Sequence, residues 1–326
     1  MHVSSLPWRT LAHCPPAELR PAHTLLNGQS FGWRPHETRE DEYVGVLGRR
    51  VVSIRQTPLA TEFRALHGSS EGLDAELRDY FQLSTPLADR YKRWSKAGCT
   101  RMATITGVLP GLRILRQEPA ECLISFICSS NNNVPRITLI LDRMRERYGE
   151  RLCPKAALEG DDPTDAPPGE ALDDEGAATA ATAATAATAA TAATAAAAVA
   201  AVATTPSPAR NKLMPRMEIS SHWHAFPTAE QLAEVPETEL RELGLGYRAK
   251  FIRNSAIKLV AAAEREGCED SASYLRSLRA RPREEVIAAL LELDGVGPKV
   301  ADCVALFSLD QVIAIKVPPD CLLIAS

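Results

Sequence analysis

The chain has 326 residues, with 37 Lys and Arg against 41 Asp and Glu; that length permits two domains and a substantial core. The formal charge of −4 is unevenly spread: eight acids and no Lys or Arg fall within 159–209, so elsewhere 37 basic residues face 33 acidic ones, a balance compatible with a local anion-binding face. No uninterrupted run of 18 apolar residues reads as a membrane span, and residues 1–20 lack the apolar stretch of a secretion signal, so the sequence reads as a soluble intracellular protein.

In the first part, Gly28-Gln29-Ser30-Phe31-Gly32-Trp33-Arg34 reads by composition as a turn or bulge at Gly28 followed by two core aromatics, Phe31 and Trp33. Residues 43–47 and 51–55 alternate as strands around Gly48-Arg49-Arg50, which predicts a β-hairpin. Helices are expected over 71–81 and 87–94, and the mixture defines an α+β unit. Cysteines at 14, 99, 122, 128, 153, 268, 303 and 321 form no Cys-x-x-Cys pair. They support neither a zinc ribbon nor an iron–sulfur loop and read as mostly buried, reduced thiols.

The apolar run at 122–128 is hydrophobic on every side, which predicts a buried helix. Three asparagines end it. By composition Asn131 to Asn133 are capping residues, with Asn133 capping a helix that Pro135 helps to start. Residues 159–209 are acidic and Pro-rich, then carry a Thr at every third position among alanines; they read as a disordered or weakly helical linker. Order is expected again at Phe226, where Thr228 and Gln231 fit a capping box. A short helix over 237–243 should end at Gly244, and Leu245-Gly246-Tyr247-Arg248 should open another. Tyr247 by itself reads as a half-buried ring and Arg248 as a solvated cation.

Apolar residues at 286, 287, 290, 291 and 293, and again at 300, 303, 304, 306 and 307, fit two helices. Gly295-Val296-Gly297 leaves only a tight hairpin between them, and Pro298 suits the start of the second. Backbone N–H groups at such a helix start can hold an anionic oxygen, a nucleic-acid phosphate being the natural guest. An ammonium at Lys299 would face the positive end of the helix dipole, which favours the neutral, nucleophilic amine. Cys303, four residues on, shares its face.

The segment Leu293-x-Gly295-Val296-Gly297-x-Lys299-Val300-Ala301-Asp302-Cys303 resembles the hairpin of the helix-hairpin-helix DNA glycosylases, specifically the eukaryote-type 8-oxoguanine DNA glycosylase/AP lyase branch. The Gly28 to Arg34 segment, the run ending in Asn131-Asn132-Asn133, and Gly244-Leu245-Gly246-Tyr247-Arg248 are similar to further motifs of that family. The resemblance implies an α+β fold: an N-terminal antiparallel sheet with helices over 1–115, then an all-α helix-hairpin-helix domain from 116–158 and 210–326, with 159–209 inserted. It implies that Lys299 attacks C1′ of a damaged nucleoside to form a Schiff base and that Cys303 lines the base pocket. Gly28 would offer its carbonyl to the N7 hydrogen that oxidised guanine has and guanine lacks; against a bare N7, acceptor would meet acceptor. Asn131 would fill the gap left by the flipped base, Tyr247 would wedge into the duplex, and Arg136 and Arg248 would read the orphaned cytosine. Gly295 and Gly297 would shape the DNA-binding hairpin.

Two departures stand out. The family has Pro where this chain has Asp294. After Asp310 the family continues Val-Pro-Val-Asp-x-His, and its Asp assists proton transfer near the Lys. Here Val317-Pro318-Pro319-Asp320 puts the candidate carboxylate, Asp320, two residues late, several ångströms along the chain. The chain is therefore expected to be truncated or altered after about residue 315. The implied function is removal of 8-oxoguanine opposite cytosine, with β-elimination at the resulting abasic site. It would be performed by a monomer on double-stranded DNA in the nucleus, with no metal or other cofactor. Two alternatives stay open: a catalytically impaired DNA-binding form, and a glycosylase of different base specificity.

Overall fold

The computed structural model describes residues 7–96, 100–155 and 221–311; the linker expected over 159–209 and the candidate Asp320 lie outside them. The strand pattern around Gly48 develops into a five-stranded antiparallel sheet. Its members are β1 (Arg9–Thr10), then, after helix α1 (Pro21–Leu25), β2 (Trp33–Pro35), β3 (Glu42–Leu47), β4 (Arg50–Gln56) and β5 (Thr61–His67), in the order β1-β5-β4-β3-β2. The central hairpin is tighter than the sequence suggests, because Leu47 pairs with Arg50 and leaves two residues in the turn. Arg50 is drawn into the ladder by its side chain, which donates to the carbonyls of Ser69 and Glu71 and pairs with Glu76.

Helices α2 (Leu73–Tyr80) and α3 (Leu87–Lys96) follow as expected, and α4 (Thr100–Val108) arises where no helix was predicted. One sheet face buries Leu47, Val52, Ile54 and Phe63 against Leu73, Leu77 and Phe81. The other face packs Val44, Val51 and Leu66 on Cys153 and Trp223. Those last two belong to a ribbon of two strands, β6 (Arg151–Pro154) and β7 (His222–His224). Pairing between strands this short and this far apart in sequence leaves no local pattern to read.

The second layer is helical. Helix α5 (Pro119–Ser129) is the buried helix predicted from its apolar run, and α6 (Val134–Tyr148) is capped by Asn133, whose Oδ1 accepts from the Arg136 N–H at 3.0 Å. Then come α7 (Ala229–Glu234), with the Thr228–Gln231 capping box in place, α8 (Glu237–Leu240), a wider π-type turn over Arg241–Leu245, α9 (Arg248–Glu266), α10 (Ser271–Ser277), α11 (Arg283–Leu291) and α12 (Pro298–Ser308). The two aromatics of the Gly28 segment serve different cores: Phe31 meets Phe126 edge to face in the helical core, and Trp33 joins the sheet core, its indole N–H donating to Tyr80 Oη at 2.9 Å. This segment is where the two layers are joined.

The buried stripe of α12 differs from the periodic reading. Val300, Ala301, Val304, Ala305 and Ser308 face inward, whereas Cys303, Leu306 and Phe307 are half-buried. Small alanines let α12 approach α5 closely, which turns Leu306 toward the flank and leaves Phe307 half-buried against Phe126. Leu291 is likewise exposed, because α11 ends there and Leu293 takes the inward position from the turn. Among the described residues, no helix is long and apolar enough to cross a membrane. Cys14, Cys122, Cys128 and Cys153 are buried free thiols, while Cys268 and Cys303 are half-buried.

Candidate functional site

The two hairpin glycines do different work. Gly295 has φ 78°, and a Cβ there would lie 2.8 Å from Cβ and Cδ2 of Phe251, so this position accepts only glycine. Gly297 is extended, with φ −91°, and a Cβ on it would meet nothing within 4 Å. Positive φ in the hairpin is thus confined to Gly295. No side chain caps α12, so the N–H groups of its first turn, past the open edge at Gly297, are available to an anion.

Asp294, in the family's Pro position, latches the hairpin onto α9. Its Oδ1 accepts from Lys258 Nζ at 2.5 Å and its Oδ2 from Asn254 Nδ2 at 2.7 Å, while its carbonyl accepts from buried Ser255 Oγ at 2.8 Å. Lys258 also donates to the Glu292 carbonyl at 2.7 Å. The Lys258 hydrogen bond, followed by that of Asn254, holds the Asp294 carboxyl below its ordinary range. A depressed carboxyl pKa stabilises the fold above its unfolded value, and the contribution is lost as pH falls through the folded value. Because Lys258 is half exposed, Asp294→Ala is expected to cost only about 1 kcal/mol at neutral pH. Urea denaturation at pH 7 and at successively lower pH should show this difference fade as Asp294 protonates in the parent. A difference that persisted unchanged in acid would mean that the carboxylate charge is not what holds the hairpin.

Lys299 is exposed in the first turn of α12, and Cys303 lies half-buried one turn later. Burial pushes the Cys303 thiol up, opposed by the positive charge of Lys299, and the thiol keeps its proton at neutral pH. Below it, Phe307 stacks on Phe126 with centroids 5.5 Å apart. Arg283 pairs with Asp302 at 2.6 Å and ties α11 to α12.

A second cluster forms where α9 begins beside the turn between α5 and α6. Arg248, expected from its type alone to be solvated, is 5% exposed. Its Nε donates to the Ser130 carbonyl and its Nη2 to the Asn131 carbonyl, both at 3.0 Å, and its guanidinium lies 4.6 Å from the Tyr247 ring centroid. The two orphan carbonyls at the end of α5 provide the reason, since an internal donor satisfies what water cannot reach. Asn131 is held with φ 50° and its side chain outward. Tyr247 stands 48% exposed, with its hydroxyl 3.3 Å from the Ser130 carbonyl and its ring edge-on to Phe251 at 5.7 Å. Exposed Arg136 reaches the Gly244 carbonyl at 3.4 Å. Gly28, with φ 88°, faces the start of α6: a Cβ there would lie 3.6 Å from Val134 Cγ2.

Close approaches therefore run from Gly28 through Val134 to the Asn131 turn, Arg248, Tyr247, Phe251 and Gly295, and Lys299 and Cys303 continue along the helix that Gly295 leads into. Phe251 joins the two clusters and was not singled out from sequence; its spacing of four residues from Tyr247 on one helix was the available signal. A cavity of about 670 Å³ lies elsewhere, between the sheet, α6 and the β6–β7 ribbon, with Arg34, Lys155 and Trp223 in its wall. It contains none of the residues above. An open surface carrying a protruding ring, exposed donors and an amine suits an extended polyanion better than an enclosed cavity does. Among the described residues, no three His, Cys, Asp or Glu side chains gather in a way that could hold a metal ion.

This pairing of an antiparallel sheet domain with a helical layer ending in a glycine hairpin has known counterparts. Residues 188–307 match the HhH-GPD superfamily of base excision DNA repair proteins, and the chain belongs to that superfamily. Residues 12–123 match the N-terminal domain of 8-oxoguanine DNA glycosylase, which places the chain in the 8-oxoguanine DNA glycosylase family. It is 32% identical over 298 residues to the N-glycosylase/DNA lyase OGG1 of Arabidopsis thaliana, covering 90% of this chain and 62% of that protein. It is 30% identical over 315 residues to the N-glycosylase/DNA lyase of Saccharomyces cerevisiae, covering 92% and 66%. The chain thus spans slightly less than two thirds of the length of these relatives. A solved structure of the Clostridium acetobutylicum 8-oxoguanine glycosylase/lyase, in complex with double-stranded DNA containing cytosine opposite 8-oxoguanine, shares the fold. Its TM-score is 0.59 at 21% identity, over 90% of this chain and 73% of that one.

Proposed function

We propose that this protein removes 8-oxoguanine paired with cytosine from double-stranded DNA and then cleaves the strand at the abasic site. The observation that carries the proposal is the exposed Lys299 amine at an uncapped helix start, beside half-buried Cys303 and behind a hairpin whose open edge at Gly297 leaves donors for a phosphate. The similarity to two N-glycosylase/DNA lyases and to a DNA-bound 8-oxoguanine glycosylase/lyase supports the substrate class. Extruding a base costs a few kcal/mol; Tyr247 in the stack and Asn131 in the vacated space offset that cost, while Arg136 and the Arg248-ordered turn face the orphaned cytosine. Cys303, uncharged, packs against the everted base without repelling its electron-rich edge.

In the chemical step the Lys299 amine, its ammonium proton first passed to solvent, forms a bond to C1′ as the N-glycosidic bond breaks, and the electron pair leaves with the base, which takes up a proton. Loss of the amine proton and opening of the sugar give an iminium. A base then removes a C2′ proton and the C3′–O bond breaks, releasing the 3′ phosphate by β-elimination; the iminium accepts the electron pair. The nucleus is the proposed place of action.

Borohydride trapping of the 326-residue chain tests this, on one duplex with 8-oxoguanine opposite cytosine and on another with a preformed abasic site. Covalent adducts on both are expected. An adduct on the abasic duplex alone would restrict the activity to strand cleavage, and none on either would leave a DNA-binding form as the better reading. Adducts formed preferentially on oxidised pyrimidines would reassign the base specificity.

A further inference from the structure

We infer that Asn27, Gln29 and Gln117 form a clamp that sets the direction of the Gly28 carbonyl, and with it the discrimination of the oxidised base, by tying the Gly28 peptide to the end of the Lys299-bearing helix. This rests on the proposed reading of Gly28 as the base-reading group. The carbonyl of Gly28 and the N–H of Gln29 belong to one planar peptide and point in opposite directions. Whatever holds that N–H therefore aims the carbonyl. The N–H donates to Asn27 Oδ1 at 3.2 Å, and Asn27 Nδ2 donates to the His23 carbonyl at 3.0 Å, anchoring the side chain on α1.

The next residue is fixed from every side. Gln29 is 4% exposed, and its Nε2 donates to the carbonyls of Thr24 at 2.8 Å and Arg113 at 2.9 Å, while its Oε1 accepts from the Leu115 N–H at 3.1 Å. Its own carbonyl accepts from Gln117 Nε2 at 2.6 Å. The Gln117 N–H in turn donates to the Phe307 carbonyl at 2.8 Å, one of the orphan carbonyls at the end of α12. Arg279 closes the junction, with Nε on the Ser308 carbonyl at 2.8 Å and Nη2 on the Gln117 carbonyl at 3.2 Å. A glycine at φ 88° leaves the peptide intrinsically free to swing. The hydrogen bonds remove that freedom and fix the base-reading carbonyl relative to the helix that carries the nucleophile. Asn27, Gln29 and Gln117 are positioning residues, acting through Gly28.

The test uses the full chain carrying Lys299→Gln, so that binding is read without turnover. Competition between otherwise identical duplexes holding 8-oxoguanine or guanine opposite cytosine measures the preference. Asn27→Ala, at an exposed side chain, and Gln117→Met are each expected to lower it about fivefold, the net worth of one hydrogen bond. Affinity for an abasic duplex, which has no base to read, should stay unchanged. Asn27→Asp keeps the acceptor for the Gln29 N–H but gives up the donor to the His23 carbonyl, so its preference should fall between those of the parent and Asn27→Ala. An unaltered preference in Asn27→Ala, or abasic affinity falling in parallel, would overturn the clamp. A parent chain with no preference between the two duplexes would overturn the Gly28 reading, and the clamp with it.

Discussion

Replacing Lys299 by Gln is expected to abolish the borohydride-trapped adduct and strand cleavage, a loss of at least about a thousandfold, while duplex affinity at moderate salt changes little. The magnitude follows from removing the nucleophile outright, since no neighbouring group on the described surface offers a second amine in the same position. Retained binding follows from the rest of the surface. Tyr247, Asn131, Arg136 and the uncapped start of α12 do not depend on the Lys299 side chain, which is exposed and supports no core packing. One positive charge is lost, so the dependence of log affinity on log salt should become shallower by about 1 if the ammonium meets a phosphate, and should stay the same if the amine points into the base pocket. Single-turnover trapping and salt-titrated binding give both numbers. Loss of binding together with chemistry would show that Lys299 is structural.

Gly295→Ala is expected to cost about 2–4 kcal/mol of stability and to weaken DNA binding as a consequence. Two costs add. Holding a residue other than glycine at φ 78° takes on the order of 1 kcal/mol or more, and the new methyl, 2.8 Å from Cβ of Phe251, forces either the ring or the hairpin to move at about 1–3 kcal/mol. Because the Phe251 ring also supports Tyr247, the displacement should reach the proposed wedge. Gly297→Ala makes the contrast: its methyl meets no protein atom, so stability should change by less than about 0.5 kcal/mol. That methyl would instead cover the donors of α12 and weaken binding directly. Thermal unfolding paired with duplex binding separates the two variants. Equal effects on stability would refute the division of labour between the glycines.

Local sequence determined much of the architecture because the relevant signals span only a few residues. The buried helix at 122–128, the Asn133 cap, the Thr228–Gln231 capping box and the glycine hairpin each express a short-range rule of periodicity or backbone chemistry, and the structure follows each of them. The candidate residues Gly28, Asn131, Arg136, Tyr247, Arg248, Gly295, Gly297, Lys299 and Cys303 were named from motifs, yet their joint placement was not legible. Tertiary packing alone decided that Arg248 is spent on the carbonyls of Ser130 and Asn131, because those orphan acceptors lie over a hundred residues away in sequence. It likewise decided that Phe251 supports both Tyr247 and the hairpin, that Asp294 finds Lys258 and Asn254, and that the β6–β7 ribbon covers the sheet. Periodicity placed Leu306 inward on α12, but close approach to α5 selected the alanine face instead, with Phe307 half-buried on Phe126. Sequence fixes what a segment prefers by itself; which buried polar group meets which partner depends on contacts brought together only when the chain folds.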